Sequence, residues 1–374
     1  MAARRRSAVS CQLSAVSFPM IYREAGQFHA TYEEDLRIFP IRQDRIAFAG
    51  ILLAAFVVIP LVGNDYWFNA ILIPSLILSL AALGLNILTG YAGQLSLGSA
   101  AFMAVGAFAA YNLMLRVPHM PVLASFFLAG LIAAAVGLLF GLPSLRIKGF
   151  YLAVTTLAAQ FVIEWALTKF AWFSNYNPSG VISAQKMVIL GHRFESPVSR
   201  YLLTLGLVSL LALAAKNLVR SRLGRSWMAV RDMDVAAEVI GIPILRTKLT
   251  AFAVSSFYCG IAGALWAFAY LGSVEPQAFD LTRSFQILFM IIIGGMGSVL
   301  GSFLGAAFIV LLPIFLNVAA HSVLSSGVSQ SLASNLELMV FGALIIFFLA
   351  VEPHGLARLW QTGKEKLRLW PFPH

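Results

Sequence analysis

The most chemically informative part of the sequence is a charged segment, 220–247, that lies between two long apolar blocks. It predicts a short helix over 232–241, because Asp232 can serve as N-cap and Asp234 places an acidic group in the first turn. Gly241 suits the left-handed position that follows a helix end, and the proline two residues later prevents continuation. This capped helix would lie outside the apolar blocks.

The predicted helix is partly apolar, since Trp227, Val235, Val239 and Ile240 lie in or beside it. An apolar face outside the membrane favours docking on a protein partner. A second interpretation places the helix on lipid headgroups, with its basic neighbours facing anionic lipid. The residues alone leave both interpretations open.

A second group of candidates consists of polar side chains within a glycine-containing segment, namely Asn86, Thr89, Gln94 and Ser96. Glycines permit a non-helical backbone, which is tolerated at membrane depth only where protein or water satisfies its amides. Transporters use such broken segments to hold polar substrates. Two interpretations stay open: a segment that lines or gates a pathway, and a simple turn between two spans.

Gln160 and Glu164 lie four residues apart in an apolar block and therefore on one helix face. An intramembrane carboxylate predicts a functional role. Glu164 is also close to the end of its block, where a charged side chain can reach water at little cost. Both a pathway role and this structural explanation stay open.

Glycines form the last group, as candidate packing or helix-break residues: Gly90, Gly93, Gly98, Gly294, Gly295, Gly297 and Gly301. The last four interrupt an apolar stretch, 285–317, that is too long for one ordinary span. They either let helices approach closely or break a helix beside a pathway. We interpret the stretch as a short segment, 285–297, followed by a full helix, 300–317.

The elements that must position these residues are membrane helices, because 60% of the 374 residues are hydrophobic and only 11% are charged. A soluble domain carries about 25% charged residues. The predicted fold is an all-α polytopic membrane helix bundle with about ten crossings. The predicted spans are 46–62, 70–88, 99–116, 121–142, 150–170, 201–219, 248–271, 285–297, 300–317 and 336–351.

The net charge of +10 supports a topology, because Arg and Lys cluster between apolar blocks and at both ends. Ten crossings place the basic loops around 146–148 and 216–248 and both termini in the cytoplasm, whereas nine would leave the basic tail outside. The predicted domains are a polar tail over 1–45, a permease domain over 46–351 and a basic tail over 352–374. Met20 offers a second start, so the true start of the chain is left open.

Three strings in the sequence resemble one known family. Ala-Ala-Glu-x-x-Gly at 236–241 resembles the coupling-loop signature of ABC importer permeases, which contacts the ATP-binding subunit. The strings at 83–98 and 294–298 are similar to signatures of the M-type permeases (LivM) of the branched-chain amino acid uptake family. The resemblance covers about residues 46–317. It implies a coupling role for Arg231, Asp232, Asp234, Ala236, Ala237, Glu238 and Gly241.

The resemblance further implies a transport subunit of the bacterial inner membrane that imports branched-chain or other hydrophobic amino acids. Its implied partners are a second related permease, two cytoplasmic ATP-binding subunits that use ATP and Mg, and a periplasmic substrate-binding protein. The sequence has no phosphate-binding loop and no metal-ligand spacing of histidines, so we expect no catalysis, cofactor or metal in this chain. No basic stretch is interleaved with aromatic residues, so no nucleic-acid partner is expected.

Three other functions stay as alternatives. Members of the same family are read as importers of urea, amides or aromatic acids. An ion- or proton-coupled secondary transporter would need intramembrane ionisable groups, of which Glu164 is the main one. A membrane-embedded enzyme would need clustered His, Asp or Glu within the spans, and such clusters are missing from the sequence.

Overall fold

The computed structural model of this protein describes residues 42–144, 151–177, 181–184, 187–189, 192–194, 196–323, 339–340, 342–343, 346–347 and 355–369. Nearly all of the predicted N-terminal tail, 1–45, and most of the predicted last span, 336–351, lie outside these residues. The domain boundaries proposed from the sequence therefore stay predictions.

Apolar runs of 14 to 28 residues dominate the described chain, and they fold as helices. Three helices contain π-helical segments: Ala54–Val58 in α1, Trp67–Leu72 and Ile87–Tyr91 in α2, and Trp266–Leu271 in α9. The α-helical segments are α1 (Arg42–Leu53 and Ile59–Val62), α2 (Ile73–Asn86), α3 (Ser99–Arg116), α4 (Val122–Ser144), α5 (Tyr151–Lys169), α6 (Pro197–Arg220), α7 (Arg222–Asp232), α8 (Asp234–Val239), α9 (Ile244–Leu265), α10 (Leu281–Gly294), α11 (Val299–Val323) and α12 (Gly355–Leu369).

Six helices in the described part of the chain are long and apolar enough to span a membrane: Arg45–Val62, Trp67–Tyr91, Val122–Leu142, Pro197–Arg220, Ile244–Leu271 and Val299–Leu316. The protein is therefore a multi-pass membrane protein. The predicted break within 285–317 is confirmed, because α10 ends at Gly294 and α11 begins at Val299. With 14 residues, α10 is about 21 Å long, shorter than a hydrocarbon core. The count of ten crossings stays a prediction.

Helix α2 lies at the centre of the bundle, where twelve of the fourteen residues from Ile73 to Asn86 are buried. It packs against α6, α9, α10 and α11. Helix α9 in turn packs against α3 and α4. At the α3–α9 crossing, a Cβ on Gly106 would collide with the Gly260 backbone, and one on Gly263 with the Met103 carbonyl. Small residues thus let these helices approach closely, as is typical of membrane bundles.

The loops at one end of the bundle form short strands that the sequence did not predict. Strand β1 (Ile182–Ser183) pairs antiparallel with β4 (Ser273–Val274), and β2 (Val188–Ile189) pairs with β3 (His192–Arg193). Each strand has two residues, which is too short to give an alternating apolar pattern. A 3₁₀ helix at Pro276–Phe279 leads from β4 into α10.

These strands join loops that alternating crossings predict to lie on one side, 172–200 and 272–284. At the same end, the Arg116 guanidinium lies 3.5 Å from the centroid of the Trp172 ring. The opposite end gathers 89–98, 222–241 and 295–298, and we call it the basic end. The two groups of loops therefore stay separate, as an alternating chain requires.

Candidate functional site: the basic end

The segment between α6 and α9 folds as two short helices rather than one. Helix α7 runs through Asp232, Met233 is extended with φ −159° and ψ 100°, and α8 spans six residues from Asp234 to Val239. The prediction of Asp232 as N-cap was therefore wrong, since it ends α7 and Met233 is the N-cap of α8. The physical reason is that Val230 is buried on the apolar face of α7, and this packing keeps the segment helical up to its last residue.

The other features predicted for this helix are confirmed. Asp234 lies in the first turn of α8, and Gly241 takes the left-handed conformation with φ +88°. The Gly241 N–H donates to the Glu238 carbonyl, and the Ile242 N–H donates to the Ala237 carbonyl. These bonds satisfy carbonyls at the helix end that would otherwise lack partners.

One face of this helix pair is anchored in the protein. Trp227 of α7 is fully buried, and its Nε1 donates to Thr250 Oγ1 at 3.1 Å. Val230 and Ala237 are also buried. Because a buried indole both fills a large volume and fixes a hydrogen bond, Trp227 holds α7 firmly against α9.

The other face of α8 is apolar and open. Met233 and Val235 are each 65% exposed, Ile240 is 73% exposed and Val239 is 83% exposed. Beside it lies a groove of about 450 Å³, lined by Glu238, Pro243, Ile244, Leu245, Arg246 and Lys248. A cluster of exposed apolar side chains next to a groove is the usual form of a protein-docking surface.

Arg231 connects the helix pair to the end of α2 and to the segment that follows it. Its NH1 donates to the Gly90 carbonyl at 2.8 Å, and its NH2 lies 2.9 Å from Asp232 Oδ1. A Cβ on Gly93 would lie 2.8 Å from Arg231 Cγ, so the glycine lets the arginine pass close by. The same guanidinium lies 3.6 Å from the position of a Cβ on Gly297. Arg231 is thus a bridge between three loops.

Asn86 joins α2 to the turn between α10 and α11. Its Nδ2 donates to the Ser298 carbonyl at 2.8 Å and to Ser302 Oγ at 3.0 Å, and its Oδ1 accepts from Gly297 N at 2.8 Å. The side chain is fully buried. These bonds account for a structural role of Asn86, and the pathway role suggested by the sequence stays a prediction.

The segment after α2 is non-helical from residue 92 to residue 98. Gly93 is left-handed with φ +68°, and Thr89 Oγ1 donates to the Gln94 carbonyl at 3.1 Å. Gln94 is 3% exposed, and both polar atoms of its side chain lack a hydrogen-bond partner among the described residues. Ser96 is also buried. The predicted turn therefore exists, and it carries a buried amide with free hydrogen-bonding capacity.

Gln160 and Glu164 do not converge on one site. Gln160 is 1% exposed, its Oε1 accepts from Ala101 N at 2.7 Å, and its Nε2 donates to the Phe279 carbonyl at 2.8 Å. Glu164 is partly exposed. Gln160 thus ties α5 to the start of α3 and to the 3₁₀ helix, while Glu164 lies nearer to the surface.

The predicted glycines divide into two geometric types. Gly295 and Gly297 have positive φ values of 111° and 77° and form the turn between α10 and α11. Gly294 and Gly301 face each other closely, because a Cβ on either would collide with the backbone of the other. Close approach and helix interruption thus occur side by side in this stretch.

Two more glycines combine close approach with an irregular backbone. Gly90 lies in the π-helical segment of α2, where a Cβ would collide with Asn86 Oδ1 and with Gly297 N. Gly98 is buried before α3, and a Cβ there would collide with the Thr156 carbonyl.

Sequence reasoning did not identify the residues that complete these contacts. Ser298 and Ser302, the partners of Asn86, lie 212 and 216 residues further along the chain. Their only sequence signal is the spacing of four residues at a helix start. The inward contact of Arg231 also lies beyond the sequence prediction, since the resemblance implies only a coupling role for this residue. Among the described residues, no cluster of His, Cys, Asp or Glu could hold a metal ion.

Comparison with known proteins places this arrangement in a family. A model of the family described as "Branched-chain amino acid transport system / permease component" matches residues 67–349. The chain is 30% identical over 305 residues to the "High-affinity branched-chain amino acid transport system permease protein LivM" of Salmonella typhimurium and, equally, of Escherichia coli. Each alignment covers 75% of this chain and 68% of the relative.

A more distant relative carries a different name. The chain is 29% identical over 190 residues to the "Autoinducer 2 import system permease protein LsrC" of an Enterobacter species, which covers 48% of this chain and 52% of the relative. No solved structure matches the chain. The family match over most of the chain, the long identity to LivM proteins and the apolar helices agree. The chain belongs to the family of permease components of branched-chain amino acid transport systems, which are membrane subunits of ABC transporters.

Proposed function

We propose that this chain is the membrane-spanning permease subunit of an ATP-driven importer for branched-chain or other hydrophobic amino acids. In this proposal it lies in a bacterial inner membrane and pairs with a second, related permease. Two cytoplasmic ATP-binding subunits bind ATP and Mg, and a periplasmic substrate-binding protein delivers the amino acid. The chain itself contributes no catalytic residue.

One observation carries the proposal: α8 presents exposed apolar side chains while α7 is tied to the core. Val239 and Ile240 are 83% and 73% exposed, although burial of such side chains is worth about 1.5–3 kcal/mol each. A soluble partner that covered this face would gain that free energy. Since α7 is anchored through Trp227, a force applied to α8 passes into the bundle rather than only bending a loop.

The contacts of Arg231 supply the path for that force. A displacement of α7 moves the donor of the bond to the Gly90 carbonyl and therefore moves the π-helical end of α2. Asn86 and Gly90 transmit the movement to the turn at 295–298. ATP can shift the bundle between two states only by binding one of them more tightly, and the docking surface is where that difference would act.

The test is transport by the reconstituted five-subunit system with Val239→Asp. A carboxylate at the centre of a docking face loses its hydration when a partner covers it, so we expect uptake to fall at least about tenfold. Val239→Thr keeps the shape without a charge and serves as the matched control, with a much smaller loss expected. Wild-type uptake by Val239→Asp at normal membrane levels would contradict the docking role of α8.

The substrate class rests on the LivM relatives, whose names specify branched-chain amino acids. Competition against labelled leucine uptake tests it directly. Unlabelled isoleucine and valine should compete, whereas urea, amides and aromatic acids should not. If urea, amides or aromatic acids compete and isoleucine and valine do not, the chain would still be an ABC permease, but its substrate would be a different one.

A further inference from the structure

The C-terminal helix α12 is fixed to the basic end by its first turn. Gly355 is left-handed with φ +69°, and a Cβ on it would lie 2.6 Å from both Gly295 N and the Ile293 carbonyl. Leu356 packs against the core and Ala357 is 5% exposed. The helix therefore starts in a defined place, beside the turn between α10 and α11.

Beyond the first turn, α12 carries an apolar face without a partner in the described structure. At about 100° per residue, Leu359 and Trp360 lie on one side of the helix. Leu359 is 50% exposed and Trp360 is 61% exposed. A tryptophan and a leucine exposed at the end of a membrane bundle need an apolar environment.

The charges on α12 indicate which environment this is. The helix has four basic residues, Arg358, Lys364, Lys366 and Arg368, and a single acidic one, Glu365. Lys364 and Lys366 lie on the two sides of the apolar face, and the long side chain of the exposed Lys366 can reach phosphate groups while its stem stays apolar. Lysine is depleted in protein–protein interfaces, whereas tryptophan with lysine is typical of the membrane interface.

We propose that α12 is an interfacial helix whose apolar face lies among the headgroups of an anionic bilayer leaflet. Its fixed first turn keeps the rest of the helix beside the membrane that the bundle spans. The helix would then hold the turn at 295–298 relative to the membrane surface. This role concerns lipid and does not depend on which substrate or ATP-binding partner the protein uses.

The test places a fluorescent probe on each side of the helix in the full-length protein. Leu359→Cys and Gln361→Cys are labelled with an environment-sensitive dye, in a chain where Cys11 is replaced by Ser and the buried Cys259 is retained. Gln361 is exposed on the face opposite to Leu359 and is the matched control. Each protein is reconstituted, without partners, in vesicles of phosphatidylcholine alone or with phosphatidylglycerol, and quenching by nitroxide-labelled lipid is measured.

The expected result is strong quenching at Leu359, weak quenching at Gln361 and a larger difference between them in the anionic vesicles. Adding Lys366→Gln should lower the ratio of membrane-bound to free helix roughly fivefold in anionic vesicles, because one basic residue near the surface is removed. Equal quenching at both positions would overturn the proposal. If the probe at Leu359 is shielded from water only after an ATP-binding subunit is added, the proposal is also overturned, and the apolar face is assigned to that protein.

Discussion

At the scale of single residues, Arg231 makes two polar contacts that a lysine cannot make together. Its NH1 donates to the Gly90 carbonyl while Nε donates to Asp232 Oδ1 at 2.9 Å. The planar guanidinium holds both contacts in a fixed geometry, whereas the ammonium of lysine is a single point. The residue therefore sets the distance between α7 and the end of α2.

Arg231→Lys should lower the number of substrate molecules transported per ATP hydrolysed, while ATP hydrolysis continues. Loss of one hydrogen bond to a charged group is worth about 1.5 kcal/mol, which corresponds to roughly tenfold. Parallel measurement of uptake and phosphate release checks this ratio. Arg222→Lys, an exposed position in the same helix, is the matched control and should leave the ratio unchanged. An unaltered ratio in Arg231→Lys would contradict the proposal that Arg231 transmits force from α7 to the end of α2.

Glu238→Arg should uncouple transport without unfolding the protein. Glu238 is exposed on α8 and lines the groove beside Arg246 and Lys248, so a positive charge there adds repulsion within the docking surface. Uptake in vesicles is measured together with the amount of protein in the membrane. Glu365→Arg makes the same charge change on α12 and should retain uptake. Full uptake by Glu238→Arg would show that Glu238 takes no part in the docking surface.

Asn86→Ala should destabilise the bundle by about 1–3 kcal/mol, because the buried donors and acceptors of the turn at 297–302 would lose their partner. Thermal unfolding in detergent measures this change. Asn217→Ala, at an exposed asparagine of α6, is the control and should be close to neutral. If Asn86→Ala unfolds like the wild type but fails to transport, Asn86 belongs to the pathway rather than to the fold.

At the scale of elements, the contact of α2 with the turn between α10 and α11 depends on the absence of a side chain at Gly90. A Cβ there would meet both Asn86 Oδ1 and Gly297 N. Overpacking of a tight site costs about 1–3 kcal/mol, so Gly90→Ala should lower stability and uptake. Gly206→Ala lies in α6 with open space around it and should change neither. Equal behaviour of the two variants would show that the contact is loose.

The elements also show what the sequence could and could not predict. Gly241 and the glycines at 294–297 were predictable, because a left-handed residue or a helix interruption favours glycine wherever it occurs. Asp232 was misassigned because an acidic residue between two helical segments can end one or start the next. The bond of Asn86 to Ser298 joins positions 212 residues apart, and a single sequence carries no signal for such pairs.

At the scale of the whole molecule, the contacts described above between loops join loops of the same predicted side. Arg231 meets Gly90 at one end, and Ile182 pairs with Val274 at the other. This separation fits a chain that alternates across the bilayer. In the proposed transporter, the ATP-binding subunits would dock at the basic end and the substrate-binding protein at the opposite end.

The sidedness itself is tested with reporter fusions. A reporter after residue 374 should report the cytoplasm, and one inserted in the loop at 117–120 should report the periplasm. The reason is the excess of Arg and Lys in the loops of the basic end. A periplasmic signal from the fusion after residue 374 would contradict the ten-crossing topology.

The most direct measurement is photo-cross-linking from Ile240 in the assembled transporter. Ile240 is 73% exposed at the end of α8, and a photoreactive residue there should attach covalently to an ATP-binding subunit. The same probe at Tyr66, 59% exposed at the opposite end, should not attach to that subunit. Attachment of the Ile240 probe to the periplasmic binding protein, or to lipid alone, would contradict the claim that α8 receives the force of ATP hydrolysis.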